Sequence, residues 1–278
     1  MSQKIAKVSA RTLDQFYTKP HIAKACIAFA QEQLDFTRFN TVIEPSAGAG
    51  AFSDQLGPNC VAMDVDPKAD CITKANFFGW SSKNFQRSLV IGNPPFGKNA
   101  SLAVKFFNHA AQFADAVAFI MPRSFEKASV QARLNAEFHL KAQMEIASNA
   151  FCFLGDTRDV PTVFQIWEKQ PDLRPRIKPS IIHADFMFCR REEADFAIQR
   201  VGANAGRIKS ASKAGSASSH HFLKASGCSM QLRQRFEALD FESVRTRTAG
   251  NPSIAKSEVV LLYSQAFKLS CETQPNFG

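Results

Sequence analysis

The sequence predicts an α/β fold with a mostly parallel sheet, and two observations lead to this prediction. Short apolar runs alternate with stretches of helical periodicity along the first 170 residues, which is the pattern of βαβ units. Strands joined in this way form mostly parallel sheets that helices cover on both faces. The predicted strands are 41–44, 60–64, 88–92, 116–121 and 161–167.

Helical spacing marks the first long element of the chain. Thr18 offers a capping hydroxyl and Pro20 suits the first helical turn. Apolar residues then recur at helical spacing at Ile22, Ala23, Cys26, Ile27, Ala30 and Leu34. A second helix is predicted over 101–115, between two of the strands. The stretch from Ile146 or Phe153 to Trp167 is expected to close the sheet as an antiparallel hairpin.

Proline and charge mark a boundary near residue 170. The stretch 169–180 has three prolines and four basic residues, which disfavours regular structure and predicts a linker. We therefore expect a first domain over 1–170 and a smaller region over 171–278. Within that region, 197–235 contains seven Lys or Arg and neither Asp nor Glu.

Composition narrows the class of protein. A chain of 278 residues suits one or two domains. Its apolar runs fall short of the roughly 18 residues of a membrane span, and its basic N-terminus lacks the apolar core of a secretory signal. An intracellular protein without a membrane partner is therefore expected. Seven cysteines without ligand spacing indicate reduced thiols and no structural metal. A net charge of +9 is compatible with a nucleic-acid partner.

Residues 41–52 predict a buried strand, a glycine-rich turn and a helix. Gly48 and Gly50 allow backbone angles that other residues avoid and let the chain approach a ligand closely. Sixteen residues after Gly48, a second strand ends on Asp64, where a carboxylate can accept both hydroxyls of a ribose. A dinucleotide fingerprint would require a third glycine where Ser53 stands. A nucleoside ligand is therefore expected.

The strand 88–92 ends in Asn93-Pro94-Pro95-Phe96, at the edge where α/β sheets bind ligands. Proline has no N–H, so this loop presents carbonyl oxygens, and Asn93 adds an amide oxygen. Such acceptors suit an aromatic amine like that of adenine, whose lone pair is delocalised into the ring. Phe96 is expected to stack on the base. A rigid turn of purely structural meaning is the alternative.

These motifs together resemble the amino-methyltransferase family, in particular the adenine methyltransferases whose cofactor motifs precede the target-recognition region. The similarity covers residues 13–167. It implies a Rossmann-like methyltransferase fold with a seven-stranded, mostly parallel sheet, and S-adenosylmethionine as cofactor. Residues 200–206 and 219–222 also resemble parts of phage-type or virus-type relatives.

The resemblance implies roles for individual residues. Asn93, Pro94, Pro95 and Phe96 match the catalytic signature. Either Phe151 or Phe153 would be the second aromatic residue that encloses the target base, and Phe153 is the one we expect. The implied cofactor-binding residues are Tyr17, Thr18 and Pro20 on the methionine side, Glu44, Pro45, Ser46, Ala47, Gly48 and Gly50 in the glycine loop, Asp64 and Asp66 in the ribose motif, and Asn76, Phe77 and Asn93.

The expected function is transfer of a methyl group from S-adenosylmethionine to the N6 amine of adenine in nucleic acid, with DNA ahead of RNA. Arg200, Arg207 and Lys209 are expected to hold that substrate. RNA is the nearest alternative, because nothing in the sequence distinguishes deoxyribose from ribose. Phe96 and the basic stretch 197–235 disfavour protein glutamine methylation. The intact cofactor and catalytic motifs disfavour non-catalytic nucleic-acid binding. The sequence predicts no oligomeric state.

Overall fold

The computed structural model describes residues 16–80, 87–153, 156–158, 160–175, 179–248 and 250–267. They form two compact units that divide between residues 177 and 178. No helix in these described ranges is long and apolar enough to cross a bilayer.

The first unit alternates strands and helices along the chain. Its helices are α1 (Pro20–Gln33), α2 (Ser53–Leu56), α3 (Ser101–Ala110) and α4 (Ala128–Gln131). Its strands are β1 (Tyr17–Thr18), β2 (Thr41–Pro45), β3 (Cys60–Asp64), β4 (Thr73–Lys74), β5 (Ser88–Gly92), β6 (Ala116–Pro122), β7 (Phe138–Glu145), β8 (Phe151–Phe153), β9 (Asp156–Arg158) and β10 (Thr162–Lys169).

Seven of these strands form one sheet in the order β4-β3-β2-β5-β6-β10-β7. The pairs from β4 through β6 are parallel, whereas β10 is antiparallel to both β6 and β7. This sheet and its flanking helices confirm the predicted Rossmann-like fold class. The strand order reverses between β2 and β5, so the loops that leave their carboxyl ends border one crevice.

The closing hairpin differs from the prediction in its first arm. Strand β10 pairs with β7, while β8 pairs with β9 and β1 in a separate antiparallel sheet. Strand β7 was missed because it lies at the sheet edge, where only Phe138 of its eight residues is buried. A search for apolar runs finds central strands such as β5 and β6, which are buried throughout.

Helix α1 begins one residue later than the capping hydroxyl predicts. Its N-cap is Lys19, with no capping bond from a side chain, and Pro20 opens the first turn. Thr18 lies in β1 instead. The predicted apolar face is correct, since the buried residues of α1 are Ile22, Ala23, Cys26, Ile27 and Ala30. Helix α3 ends at Ala110, earlier than predicted.

The first half of the predicted linker is held against the first unit. The Arg174 guanidinium donates from Nε to the Phe138 carbonyl at 3.0 Å and from Nη2 to the Gln131 carbonyl at 3.0 Å. It also lies 5.2 Å from the centre of the Trp167 ring, within cation–π range. The two prolines within residues 169–175 therefore do not make this stretch a free connection.

The second unit contains an antiparallel sheet in the order β11-β14-β12-β13. Its strands are β11 (Phe186–Phe188), β12 (Phe196–Gln199), β13 (Ile208–Ser210) and β14 (His220–Ala225), and its helices are α5 (Ser229–Glu237), α6 (Glu242–Arg245) and α7 (Lys256–Ala266). Helices and sheet share a core that includes Phe186, Phe196, Phe236 and Tyr263. This unit therefore has its own hydrophobic core.

Candidate nucleoside site

A cavity of about 300 Å³ lies in the first unit, where β2, β3 and β5 end and β1 passes. The predicted site residues that line it are Tyr17, Thr18, Glu44, Ser46, Ala47, Gly48, Asp64, Asn76, Phe77, Asn93 and Pro95. Those that do not line it are Pro20, Pro45, Gly50, Asp66, Pro94 and Phe96. The glycine loop, the Asp64 strand end and the Asn93 loop thus meet at one site.

The glycine loop after β2 turns through three left-handed residues. Ser46, Gly48 and Gly50 have φ angles of 56°, 59° and 88°, a region that glycine adopts far more readily than serine. A Cβ atom added to Gly48 would lie 2.9 Å from Cε1 of Tyr17. A side chain at position 48 would therefore be strained by the backbone angle and would collide with the Tyr17 ring.

The Asp64 carboxylate joins the glycine loop to the end of β3. Its Oδ2 accepts the backbone N–H of Gly48 at 2.8 Å, and its Oδ1 accepts that of Asp66 at 2.7 Å. Each oxygen keeps acceptor capacity after one such bond. The two bonds fix the carboxylate at the cavity wall, in a position to receive further donors from a ligand.

Glu44 is a buried carboxyl at the same wall. Only 2% of the residue is exposed, and its Oε2 accepts the backbone N–H of Ser53 at 2.8 Å, at the start of α2. Burial raises the pKa of Glu44 to about 7, and the bonds from Ser53 and Phe52 oppose that rise. Loss of hydration disfavours the charged form more than these bonds stabilise it.

Aromatic side chains form the far end of the cavity. Phe77 is buried and stacks on Phe106 at 5.4 Å between ring centres, while Phe78 is 40% exposed and lies 4.8 Å from Phe106. The Asn76 Oδ1 accepts the Phe78 N–H at 3.1 Å and so caps the short helix Phe77–Gly79. Phe78 and Phe106 were missed as lining residues, because the helical spacing around Phe106 indicates burial and not ligand contact, and no motif marks Phe78.

The Asn93 side chain has one satisfied end and one unsatisfied end. Its Nδ2 donates to the Phe16 carbonyl and to the Thr18 Oγ1, both at 3.1 Å. Its Oδ1 is buried and has no hydrogen-bond partner among the described residues. Because a buried acceptor without a donor is costly, this oxygen is a candidate for contact with a ligand.

Of the aromatic residues predicted to enclose a base, Phe96 and Phe151 do not form an open platform. Phe96 is only 9% exposed and belongs to the hydrophobic core. Its carbonyl accepts the N–H groups of Leu102 and Ala103 at the start of α3. Phe151 is 1% exposed, and the side chain of Phe153 lies outside the described part of the chain. Stacking of a base on Phe96 or Phe153 stays a prediction.

The basic residues singled out in the second unit have unequal access to solvent. Arg207 is exposed. Lys209 is half-buried and donates to Gln199 Oε1 at 2.9 Å. Arg200 is also half-buried, and its Nε is buried without a partner among the described atoms. Counting basic residues along 197–235 cannot show which of them are exposed and which are bonded within the protein. Lys213 and Lys224 are exposed, as Arg207 is.

His220 and His221 each have a ring nitrogen within hydrogen-bond distance of another group of the protein. His221 bonds the Ile254 carbonyl through Nε2 at 2.8 Å, and His220 lies 2.9 Å from the Ser219 hydroxyl through Nδ1. Burial lowers the pKa of His221 to about 4. Within the ranges described, no three His, Cys, Asp or Glu side chains are grouped as a metal site would require.

No family model matches the sequence, and no curated protein matches it. Among solved structures, the chain is similar to a proposed RNA methyltransferase from Pyrococcus horikoshii, at 18% identity over 57% of this chain and 88% of that one, with a TM-score of 0.42. It is also similar to the 23S rRNA methyltransferase ErmE, at 13% identity over 59% and 73% of the two chains, with a TM-score of 0.41.

A third similar structure is the magnesium protoporphyrin IX methyltransferase of Synechocystis, determined with bound S-adenosylmethionine. The identity is 11% over 54% of this chain and 79% of that one, with a TM-score of 0.42. At such identities, substrate and activity have to be inferred from the site itself.

Glu44 predicts a pH dependence of folding stability. Its pKa of about 7 in the folded chain exceeds the ordinary value of 4.5, so the folded state binds the proton more tightly. The stability associated with the neutral carboxyl is fully present below pH 4.5 and is lost as pH rises to about 7, by about 3 kcal/mol. Glu44→Gln, which keeps an acceptor for Ser53, should show no such loss.

The measurement is denaturant unfolding of both proteins at pH 4.5 and pH 8, followed by tryptophan fluorescence, because Trp80 and Trp167 both lie in the first unit. The stability of Glu44→Gln relative to the wild type should increase between the two pH values. An equal response of the two proteins to pH would show that folding does not raise the pKa of Glu44.

Proposed function

We propose that this protein transfers a methyl group from S-adenosylmethionine to the N6 amine of adenine in nucleic acid, with DNA as the preferred substrate. The observation that carries the proposal is the Asn93 Oδ1, a buried acceptor without a described partner. The residue Asn93 lines a cavity that Asp64 and Gly48 also line, so the proposed amine acceptor belongs to the same site as the glycine loop.

The residues of the cavity fit the proposed cofactor. Gly48 lets its loop line the cavity with the Tyr17 ring packed against it, and Asp64 has acceptor capacity suited to ribose hydroxyls. The exposed ring of Phe78 at the cavity wall offers a surface for a purine. When bound, S-adenosylmethionine supplies a methyl group on a positively charged sulfur. The Asp64 carboxylate at the cavity wall suits a ligand with positive charge.

The Asn93 loop accounts for the chemistry. The lone pair of an adenine amine is delocalised into the ring, so the amine is a poor nucleophile. Asn93 Oδ1 would accept one N–H and the Pro94 carbonyl the other, which favours a tetrahedral nitrogen whose lone pair is free to attack. Acceptors fixed in advance by the protein stabilise this state more than the ground state. The methylated amine is acidic enough to release its proton to water, so no general base is required.

The nature of the substrate is tested by incubating the protein with tritiated S-adenosylmethionine and, separately, adenine-containing DNA, RNA or a protein extract. The proposal expects label in DNA, recovered after digestion as N6-methyl-2′-deoxyadenosine. Label in RNA would support the RNA alternative, and label in protein would support glutamine methylation. Absence of label from all three would contradict the proposed activity and favour the alternative of a protein that binds nucleic acid without catalysis.

Asn93→Ala should lower the rate of methyl transfer by about 100-fold or more, because it removes an acceptor that acts as the transition state forms. Affinity for S-adenosylmethionine, measured by calorimetry, should stay within about threefold of the wild type. A suitable control is Asn40→Ala, an exposed asparagine that precedes β2 at the opposite edge of the sheet. An Asn93→Ala enzyme with the wild-type rate would refute the assigned role.

The basic second unit is proposed to help hold the nucleic acid. Exposed Arg207, Lys213 and Lys224 are the candidates within 197–235, since phosphate contacts by such residues dominate nucleic-acid affinity. Replacing each by Gln should reduce the slope of log affinity against log salt by about 0.9 for every duplex DNA phosphate that is no longer neutralised. Filter binding at several salt concentrations measures this slope.

Arg233→Gln and Arg245→Gln are matched controls, because these arginines are paired with Glu237 and Glu242. They remove the same charge, but each leaves a carboxylate behind. The proposal expects a smaller change in slope per charge from the controls. Equal changes from both sets would indicate only a general effect of net charge.

A further inference from the structure

The orientation of the Asn93 amide is set by the segment around β1. Both N–H groups of Nδ2 have partners there, the Phe16 carbonyl and the Thr18 hydroxyl, each at 3.1 Å. A carbonyl oxygen cannot donate. If the amide were rotated by 180°, Oδ1 would face the Phe16 oxygen and two acceptors would be in contact. The Phe16 carbonyl therefore selects the end of the amide that faces β1.

The position of Thr18 is fixed by the backbone. Thr18 pairs with Phe151 of β8, and Tyr17 pairs with Cys152. The Lys19 N–H donates to the Ala150 carbonyl at 3.0 Å. Successive side chains of a strand point to opposite faces, so Thr18 reaches Asn93 while Tyr17 packs against Gly48. The hydroxyl is thus held in place by strand pairing.

We infer that Thr18 is a positioning residue: together with the Phe16 carbonyl, it occupies both N–H groups of Asn93 and holds Oδ1 ready to accept the target amine. The inference rests on the proposed function, and it gives Thr18 a role other than the cofactor contact that the family resemblance implies. The same geometry explains why residue 93 is an amide here. A carboxylate at 93 would oppose the Phe16 carbonyl and lose the donor that anchors it.

The test compares Thr18→Val, which removes the acceptor at nearly constant volume, with Thr18→Ser, which keeps it. The rate of methyl transfer is measured with tritiated S-adenosylmethionine at saturation, on whichever nucleic acid the wild-type protein labels. Thr18→Val should lower this rate about tenfold, the effect of removing one hydrogen bond. Affinity for S-adenosylmethionine should stay within about twofold, and Thr18→Ser should recover most of the rate.

Two further variants separate positioning from other roles. In an Asn93→Ala background, Thr18→Val should cost nothing more, because Thr18 acts only through Asn93. Asn93→Asp should be at least as slow as Thr18→Val. Additive losses, equal impairment of Thr18→Ser and Thr18→Val, or a loss confined to cofactor affinity would each overturn the inference.

The orientation itself has a readout that needs no activity. In the wild type, the two Asn93 Nδ2 protons should give separate NMR signals protected from solvent exchange, and Thr18→Val should remove the protection of one of them. Unprotected signals in the wild type would overturn the inference. A wild-type protein that labels no nucleic acid while keeping both protected signals would overturn the proposed function and leave the amide orientation established.

Discussion

The two bonds that the Asp64 carboxylate accepts hold the first unit's ligand site together. One comes from Gly48, in the loop after β2, and the other from Asp66, just past β3. Gly48 has a left-handed backbone with Tyr17 packed against it, so its N–H is aimed by the turn and held by the carboxylate. Because the anchoring groups are main-chain atoms, one aspartate fixes the glycine loop, the end of β3 and the cavity wall between them.

Asn93 ties the loop after β5 to another segment, as Asp64 ties the end of β3 to the glycine loop. Its amide joins the loop after β5 to the segment Phe16–Thr18, and β1 is tied in turn to β8. The segment Phe16–Thr18 therefore forms one wall of the cavity. It pairs with β8 through its backbone and is bonded to the loop after β5 through the Asn93 side chain. Because both Nδ2 donors are engaged there, the amide holds its Oδ1 on the other side, where it has no partner among the residues that the structure describes.

Particular residues show how far the sequence can lead. Continuous apolar runs located β2, β3, β5, β6 and β10, because strands buried on both faces carry few polar residues. Gly48, Asp64 and Asn93 could be chosen from spacing, since each lies at the end of such a strand or just after it. Edge strand β7 could not be found this way. The partners of Thr18 and Lys209 could not be predicted either. The sequence does not show which group a hydroxyl or an ammonium will bond. Burial of Phe96 depends on packing that its motif does not encode.

Calorimetric titration of S-adenosylmethionine into the wild type, Asp64→Ala and Asp70→Ala tests both the role of the Asp64 carboxylate and the identity of the ligand. Asp70 is an exposed carboxylate six residues further on and serves as the control of equal charge. We expect one site in the wild type, unchanged affinity in Asp70→Ala, and a loss of about 1–3 kcal/mol in Asp64→Ala from its charge-assisted hydrogen bonds. Affinity in Asp64→Ala equal to that of the wild type, or no binding to the wild type at all, would contradict a nucleoside site built on this carboxylate.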